Sequence, residues 1–406
     1  ETSRLGMTLA RLPKLTDFKV DLDDGVEVKP VALEDLLGRA QTPLDRDIMQ
    51  RFIEGRRVLV TGAGGSIGTE LVHQICNFAP DKLVLIDQSE FGLYSIDMEV
   101  ARTNPELERR AIIADVRERR RIDRIIEDSA PELVFHAAAL KHVPLVEINP
   151  LEGVMTNVIG TANMADACVR HGVNSMVLVS TDKAVNPTSV MGASKRLAEI
   201  YCQALDLDKQ AVSRTQIITV RFGNVLGSTG SVLPLFQKQL AAGGPLTVTH
   251  PNMTRYFMTI REAVELILQA SALGSQGLEV DAIKEGKIFV LDMGEPVGII
   301  DLARQMIRLA GLRPDVDVKI EIVGTRPGEK LFEEVLHGHE PLVATAVDGI
   351  LLAAPRSIEI NAVRKAIVEL STACAAADVE GVLGIIRRFV PEYKETGTDV
   401  HKAASG

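Results

Sequence analysis

A chain of 406 residues, 46% of them hydrophobic, has the material for a large core divided into two lobes around a cleft. Its formal net charge of −10 and pI near 5.4 exclude the concentrated basic surface that nucleic-acid binding needs, so an anionic ligand has to be held by a local pocket. Four cysteines without a CxxC pair (Cys76, Cys168, Cys202 and Cys374) read as buried free thiols of a reducing compartment, and no apolar run approaches the roughly 20 residues that span a bilayer.

The chain begins at Glu1 rather than Met and shows no signal peptide, which reads as a soluble piece cut from something longer. Residues 1–54 carry Pro13, Pro30 and Pro43 among mixed charges without regular alternation; an arm or linker with one short helix is expected there. From Val58 onward, β-rich apolar runs alternate with amphipathic stretches: Val58–Val60, Leu83–Ile86, Leu133–Phe135, Met176–Val179 and Ile217–Val220. Each run is short enough for a strand buried on both faces, and the stretches between them supply helical crossovers. The pattern predicts an α/β fold, a doubly wound parallel-sheet Rossmann domain over residues 55–226. Turn signals at Gly227, Gly230, Gly243-Gly244-Pro245 and Pro251 open a smaller, discontinuous substrate lobe over 227–395, with 257–275 returning to the first domain. Residues 362–389 read as two closing helices, and 396–406 as a flexible tail.

Val58-Leu59-Val60-Thr61-Gly62-Ala63-Gly64-Gly65-Ser66-Ile67-Gly68 is a strand, a glycine turn and a helix start. Glycine is needed there for a tight turn, for close approach of backbone to a pyrophosphate, and for packing helix on strand. The first helical residues, Ser66 and Ile67, then offer free N–H groups to the anion. Asp87 ends the next strand, 19 residues after Gly68, where a carboxylate binds a ribose 2′-OH and repels a 2′-phosphate, favouring NAD over NADP. Asp115 and Val116 are placed to meet the adenine, although a helix N-cap is a comparable reading for Asp115. His136-Ala137-Ala138-Ala139 closes the fourth strand with small residues; Ala137 and Ala138 are expected to lie against the cofactor and His136 to be a satisfied structural histidine.

The fifth strand ends in Ser180-Thr181-Asp182-Lys183, at the sheet edge where open α/β folds bind ligands. On the following helix Met191 and Lys195, four residues apart, share a face. Short-chain dehydrogenases usually carry Tyr-x-x-x-Lys there, the lysine holding the nicotinamide ribose; here Met191 replaces the tyrosine. A chain that binds NAD without turnover and an enzyme whose acid–base groups have moved both fit that departure. An acid, an amine and a hydroxyl together at 181–183 favour the enzyme, although a methionine at helical spacing is usually packing.

Thr61–Gly68, Ser180–Pro187 and Val190–Arg196 resemble the bacterial UDP-N-acetylglucosamine 4,6-dehydratases of surface-glycan synthesis, members of the extended short-chain dehydrogenases/reductases. So do Arg221–Ser228, Thr249–Thr259 and Arg326-Pro327-Gly328-Glu329-Lys330; the likeness spans roughly residues 12 to 390. Methionine at 191 is similar to the long branch that retains the C5 configuration, in which membrane helices and another domain precede a segment like Arg11-Leu12-Pro13-Lys14-Leu15. That implies a parent protein anchored at the cytoplasmic face of the inner membrane, with no membrane contact by this piece. The implied ligands are NAD and a UDP-sugar, with no nucleic acid and no metal.

What the resemblance implies mechanistically is oxidation at C4 of the hexose by NAD, loss of the acidified C5 proton and of the C6 hydroxyl, and hydride return to C6. Lys183 is the candidate base, Asp182 the candidate acid, and Thr181 orients the C4 hydroxyl; water, Thr181 and Asp182 all remain open as acceptors of the C4 hydroxyl proton. These roles need Lys183 neutral and Asp182 protonated, against reference values near 10.4 and 3.9, and direct ion pairing shifts both the wrong way. The site has either to separate the two or let them share a proton, with Lys195 and the nicotinamide charge helping to depress Lys183. Asn224, Arg255 and Arg326 are candidates for the diphosphate, Glu329 for the ribose hydroxyls with a salt bridge to Lys330 as the alternative, and Lys141 and His142 for the sugar. A nucleotide-sugar 4-epimerase is the nearest rival and an NAD-binding regulatory or scaffold protein the rival from another class. Pairing of the helices after strands four and five, frequent in this fold, suggests a homodimer or larger oligomer.

Overall fold

The apolar runs become strands because parallel strands covered by helices on both faces have no solvent side to alternate with. The computed structural model describes residues 10–11, 29–30, 45–208, 215–275, 288–334, 342–345, 347–353 and 357–395. The expected flexible tail and most of the expected arm lie outside these residues. Within the arm, β1 (Ala10–Arg11) and β2 (Lys29–Pro30) pair antiparallel, and α1 (Arg46–Ile53) is capped by Asp45, whose carboxylate accepts from Ile48 N at 3.1 Å.

The larger of two compact units comprises residues 41–223, 260–293 and 326–406. Its chain runs β3 (Arg57–Thr61), α2 (Ser66–Cys76), β4 (Lys82–Asp87), α3 (Glu90–Thr103), β5 (Glu108–Ile113) and α4 (Arg119–Ser129). Then follow β6 (Leu133–His136), α5 (Val143–Ile148), α6 (Pro150–Val154) and a wide π-helical turn at Met155–Gly160 that leads into α7 (Thr161–Arg170). After them come β7 (Ser175–Val179), a 3₁₀ turn at Asp182–Ala184, α8 (Val190–Asp206) and β8 (Gln216–Arg221). The fold is an α/β doubly wound Rossmann domain: β5, β4, β3, β6, β7 and β8 lie side by side, all parallel. β5 is the edge strand, which is why its residues are mostly exposed and charged at Glu108, Arg109 and Arg110.

The smaller unit comprises residues 1–40, 224–259 and 294–325. In it β9 (Asn224–Leu226) is followed by α9 (Val232–Ala241), β10 (Leu246–Val248), β11 (Thr254–Arg255) and β12 (Phe257–Thr259), the last pairing with β9. The chain next contributes α10 (Ile260–Ser275) and β13 (Ile288–Leu291) to the larger unit, where β13 extends the sheet beside β8. β14 (Val297–Gly298), α11 (Ile299–Leu309) and β15 (Ile320–Ile322) complete the smaller unit, β14 pairing with β11 and β15 with β10.

The final segment departs from the expected boundaries. β16 (Leu342–Ala344) and β17 (Ile350–Ala353) add two antiparallel strands to the sheet, making nine. α12 (Ile360–Ala375) and α13 (Val379–Phe389) pack on α8, with Val363, Leu370, Leu383 and Ile386 in one apolar cluster with Leu197, Ala198 and Tyr201. Residues 326–395 therefore group with the larger unit rather than with the 227–395 lobe expected from the turn signals, and of that expected lobe the segments 227–259 and 294–325 fall in the smaller unit. The same packing bears on one of the two helices named as a ground for oligomerisation, the one after the fifth strand. Every residue of α8 except Asp206 is buried within one chain, so the helix that would pair across a dimer is already covered by α12 and α13.

Candidate functional site

The turn after β3 is shaped as a cradle that side chains would fill. Gly62 has φ +66°, in the left-handed region, and a Cβ there would lie 2.7 Å from Ala138 N. A Cβ on Gly68 would lie 1.9 Å from Gly62 O, so the helix start can approach the turn only because Gly68 has none. Gly65 is the N-cap of α2, and Ser66 and Ile67 form its first turn. The adjoining cleft is lined by Gly62, Gly65, Asp87, Asp115, Val116 and Ala138, with Ala137 beside them.

Asp87 has both oxygens engaged by the fold: Oδ2 accepts from Gly64 N at 2.9 Å and Oδ1 from Ser89 N at 2.8 Å. These bonds fix the carboxylate at the cleft edge, where each oxygen keeps a lone pair for a ribose hydroxyl. Asp115 is no helix cap, since Glu118 precedes α4; it closes a turn by accepting from Arg117 N at 2.9 Å and from Arg117 Nε at 2.7 Å. The Arg117 guanidinium holds its pKa below the usual carboxylate value despite partial burial. Both nitrogens of His136 are taken, Nδ1 by Thr61 Oγ1 at 2.7 Å and Nε2 by Thr161 Oγ1 at 3.1 Å. Burial pushes its pKa down to about 3, so it stays neutral, as a structural group would.

At the carboxyl end of β7 the side chains of Thr181, Asp182 and Lys183 converge. Lys183 Nζ donates to Asp182 Oδ1 at 3.0 Å, and Thr181 Oγ1 donates to the same oxygen at 2.9 Å. Asp182 is 1% exposed, and its other oxygen, Oδ2, is buried without a hydrogen-bond partner among the described residues. A buried carboxylate oxygen left open at a sheet edge is a place for a ligand hydroxyl. Of the two arrangements the chemistry allows, the geometry is contact rather than separation, so acid and amine form one coupled group.

One turn into α8, Lys195 is fully buried and donates to Val179 O at 2.8 Å; burial lowers its pKa to about 8. Met191 is 2% exposed and belongs to the main apolar cluster, so the position that carries tyrosine in related folds is here filled by packing.

The remaining candidates are distributed. Lys141 and His142 line a second cavity with Arg117, Leu145 and Glu152, which shares Gln88 and Thr156 with the cofactor cleft; residues 181–183 do not line it. Burial lowers the pKa of both. Asn224 and Arg255 belong to the smaller unit, where Asn224 N donates to Tyr256 O and the buried Arg255 donates to Thr254 O at 2.7 Å. Arg326 and Glu329 belong to the larger unit. Arg326 is exposed, and its N–H donates to Glu329 Oε2 at 3.1 Å, so that carboxylate caps the turn. Lys330 reaches Val185 O at 2.9 Å.

Comparison with known proteins gives this arrangement its relatives. Residues 58–355 match the model of a family described as polysaccharide biosynthesis protein. The chain belongs to that family. It is 48% identical over 336 residues to the capsular polysaccharide biosynthesis protein CapD of Staphylococcus aureus, a match that covers 82% of this chain and 54% of CapD. The chain thus spans about half the length of that relative. A protein of Rickettsia canadensis named UDP-glucose 4-epimerase is 35% identical over 292 residues, 70% of this chain and 79% of its own. Among solved structures, Pen from Bacillus thuringiensis superposes with a TM-score of 0.66 at 29% identity, covering 78% of this chain and 98% of its own. The dTDP-glucose 4,6-dehydratase DesIV of Streptomyces venezuelae, solved as a double mutant with NAD bound, shares the fold with a TM-score of 0.56 at 23% identity, over 69% and 88% of the two chains.

Three residues that sequence reasoning passed over organise the site. Asn157, on the π-helical turn, accepts from Leu140 N at 2.8 Å and donates to Leu140 O at 2.9 Å and to Ser194 Oγ at 3.0 Å, which ties the loop after β6 to α8. Glu199, 0% exposed, accepts from Ser180 Oγ at 2.6 Å and from Arg221 at 2.8 and 2.7 Å, anchoring the end of β7. Glu333 lies 3.5 Å from Lys183 Nζ. No local signal marks any of them, because each acts through a partner distant in sequence; only the charged Lys195, Arg196 and Glu199 among the apolar residues of α8 hint at a buried network.

Proposed function

We propose that this chain carries the catalytic domain of an NAD-dependent nucleotide-sugar 4,6-dehydratase, acting on a UDP-N-acetylhexosamine, UDP-N-acetylglucosamine foremost, to give the UDP-4-keto-6-deoxy sugar for surface-polysaccharide synthesis. The observation that carries the reading is the contact of the buried Asp182 with the partly exposed Lys183 at the end of β7, with Asp182 Oδ2 open and no tyrosine at 191. NAD fits the glycine cradle, where Gly62, Gly65 and the first turn of α2 would hold its pyrophosphate, Asp87 its ribose and Lys195 its nicotinamide ribose, and when bound it supplies the hydride acceptor at C4 and the donor at C6. A ketone at C4 acidifies C5–H. Lys183 takes that proton while Asp182 gives its own to the departing C6 hydroxyl, and water leaves. Because the two groups touch, moving a proton from the ammonium to the carboxylate leaves the pair neutral overall, and the reactive form needs no net charge buried. Thr181, bonded to the same carboxylate, orients the C4 hydroxyl.

A 4-epimerase would use the same C4 oxidation without an acid at C6, and the likeness to the rickettsial protein supports that second reading. Incubation with UDP-N-acetylglucosamine in deuterated water separates them. Dehydration lowers the product mass by one water and places deuterium at C5 with retained configuration; epimerisation leaves the formula unchanged. Asp182→Asn and Lys183→Ala are each expected to keep NAD and lose dehydration, and near-normal product from either variant refutes the roles given.

A further inference from the structure

The segment Arg326–Glu334 is fastened to the loop after β7 at four points. Gly328, at φ +75°, sits so close to Ser189 that a Cβ would lie 2.9 Å from that side chain, and Thr188 Oγ1 donates to Gly328 O at 3.1 Å. Lys330 Nζ donates to Val185 O at 2.9 Å, and Asn186 Nδ2 donates to the Glu334 carboxylate. The clasp delivers one further side chain. Glu333, with its side chain 3% exposed, brings Oε1 to 3.5 Å from Lys183 Nζ, while Asp182 Oδ1 stands 3.0 Å from the same nitrogen.

We propose that Glu333 is a positioning residue for Lys183, holding its amine and stabilising the ammonium that the amine becomes when it takes the C5 proton. The inference rests on Lys183 being the base. In that step the C5–H bond breaks, its electron pair passes to the C4 ketone as an enolate, and an N–H bond forms on Lys183. The carboxyl proton of Asp182 goes to the C6 oxygen as the C6–O bond breaks, so one cation and one anion appear together. The charged groups facing Lys183 are Asp182 from its own turn and Glu333 and Lys330 from the clasp. Of these, Glu333 is the carboxylate that neither gives nor takes a proton in the step, and a preorganised carboxylate aimed at a charge that develops lowers a barrier without reorganisation. A direct contact with a carboxylate is worth more in a buried site than in water.

The test compares the NAD-loaded wild type with Glu333→Gln, which keeps shape and an acceptor oxygen but removes the charge. With ¹³C-labelled lysine, the Lys183 Cε signal is identified by its loss in Lys183→Arg and titrated. Removing an anion at this distance is expected to lower the Lys183 midpoint by about one pH unit. The rising limb of kcat against pH should move down with it, and the plateau kcat should fall about tenfold with KM nearly unchanged, as for an interaction made in the transition state. Glu333→Asp, which restores the charge, is expected to return the midpoint and most of the rate. A midpoint that does not move in Glu333→Gln, or a Glu333→Asp variant that behaves like Glu333→Gln, overturns the proposal. The titration needs no turnover, so it separates the two readings: a shifted midpoint in a protein that releases no water from UDP-N-acetylglucosamine supports Glu333 and refutes the dehydratase assignment.

Discussion

The carboxylate of Glu199 is 0% exposed and takes four contacts: Arg221 at 2.8 and 2.7 Å, Ser180 Oγ at 2.6 Å and Arg196 at 3.2 Å. Replacing it by leucine leaves the guanidinium of Arg221, itself 1% exposed, buried without either of those carboxylate bonds, whereas Arg196 keeps Glu392 at 3.1 Å. Breaking one side of such a pair costs about 3–5 kcal/mol, while replacing both members by apolar groups is near neutral or stabilising. Glu199→Leu and Arg221→Met are each expected to lose about 3–5 kcal/mol, and the double variant to recover most of it. Because two units make a single global unfolding energy ill defined, amide exchange over β7 and α8 is the suitable assay. A loss of that size speeds exchange by about two to four orders of magnitude if opening is local. Acid supplies a second check. The Arg221 and Arg196 guanidiniums, with the Ser180 hydroxyl, hold the Glu199 pKa below the usual carboxylate value against the opposing effect of burial. That stability is complete above the unfolded carboxylate value and is lost as pH falls through the folded one, a loss the double variant should not show. Single variants costing under about 1 kcal/mol, or a double variant as unstable as the sum, would refute the argument.

Gly62→Ala is expected to abolish NAD binding at accessible concentrations, since it combines about 1–2 kcal/mol of left-handed strain with a Cβ 2.7 Å from Ala138 N; calorimetric titration with NAD reads it. Asp87→Asn removes the charge that repels a 2′-phosphate, so the ratio of NADP to NAD affinity should rise about tenfold, a difference of about 1.4 kcal/mol. Lys195→Met relieves a buried ammonium. With the wild-type pKa at about 8, the variant should be more stable by on the order of 2 kcal/mol at neutral pH, the gain fading as pH rises from there toward the unfolded value of 10.5. Thermal melts at pH 7 and pH 10 check the sign, and equal differences at both would contradict it.

The parallel sheet was readable because strands covered on both faces, such as Leu83–Ile86, are uninterrupted apolar runs that end in functional residues. The tight turn after β3 was readable for a steric reason: the clashes that exclude a Cβ at Gly62 and Gly68 leave glycine as its mark in the sequence. The two closing helices were readable as helices, expected over 362–389 and found at Ile360–Ala375 and Val379–Phe389, but neither their packing partner nor the role of Glu333 was. The contact of Glu333 with Lys183 and the packing of α12 and α13 on α8 join segments far apart in the chain, and a charged residue in a loop looks the same whether it meets water or a buried amine. The lobe boundary was misplaced for a related cause, since turn residues report where the chain bends and not which core it returns to.

The helix that carries Met191 and Lys195 gets part of its apolar cover from the last two helices described. During synthesis, the cradle for the dinucleotide can form long before that cover exists, because its strands and glycine turn are complete early in the chain. A nascent chain stopped before α12 would hold a formed glycine turn beside a helix still lacking part of its apolar cover, an adhesive surface on α8. Completion of the cover over α8 is thereby tied to the arrival of the two helices α12 and α13, and tags, fusions or truncations near them bear on the helix of Met191 and Lys195 rather than on a passive edge.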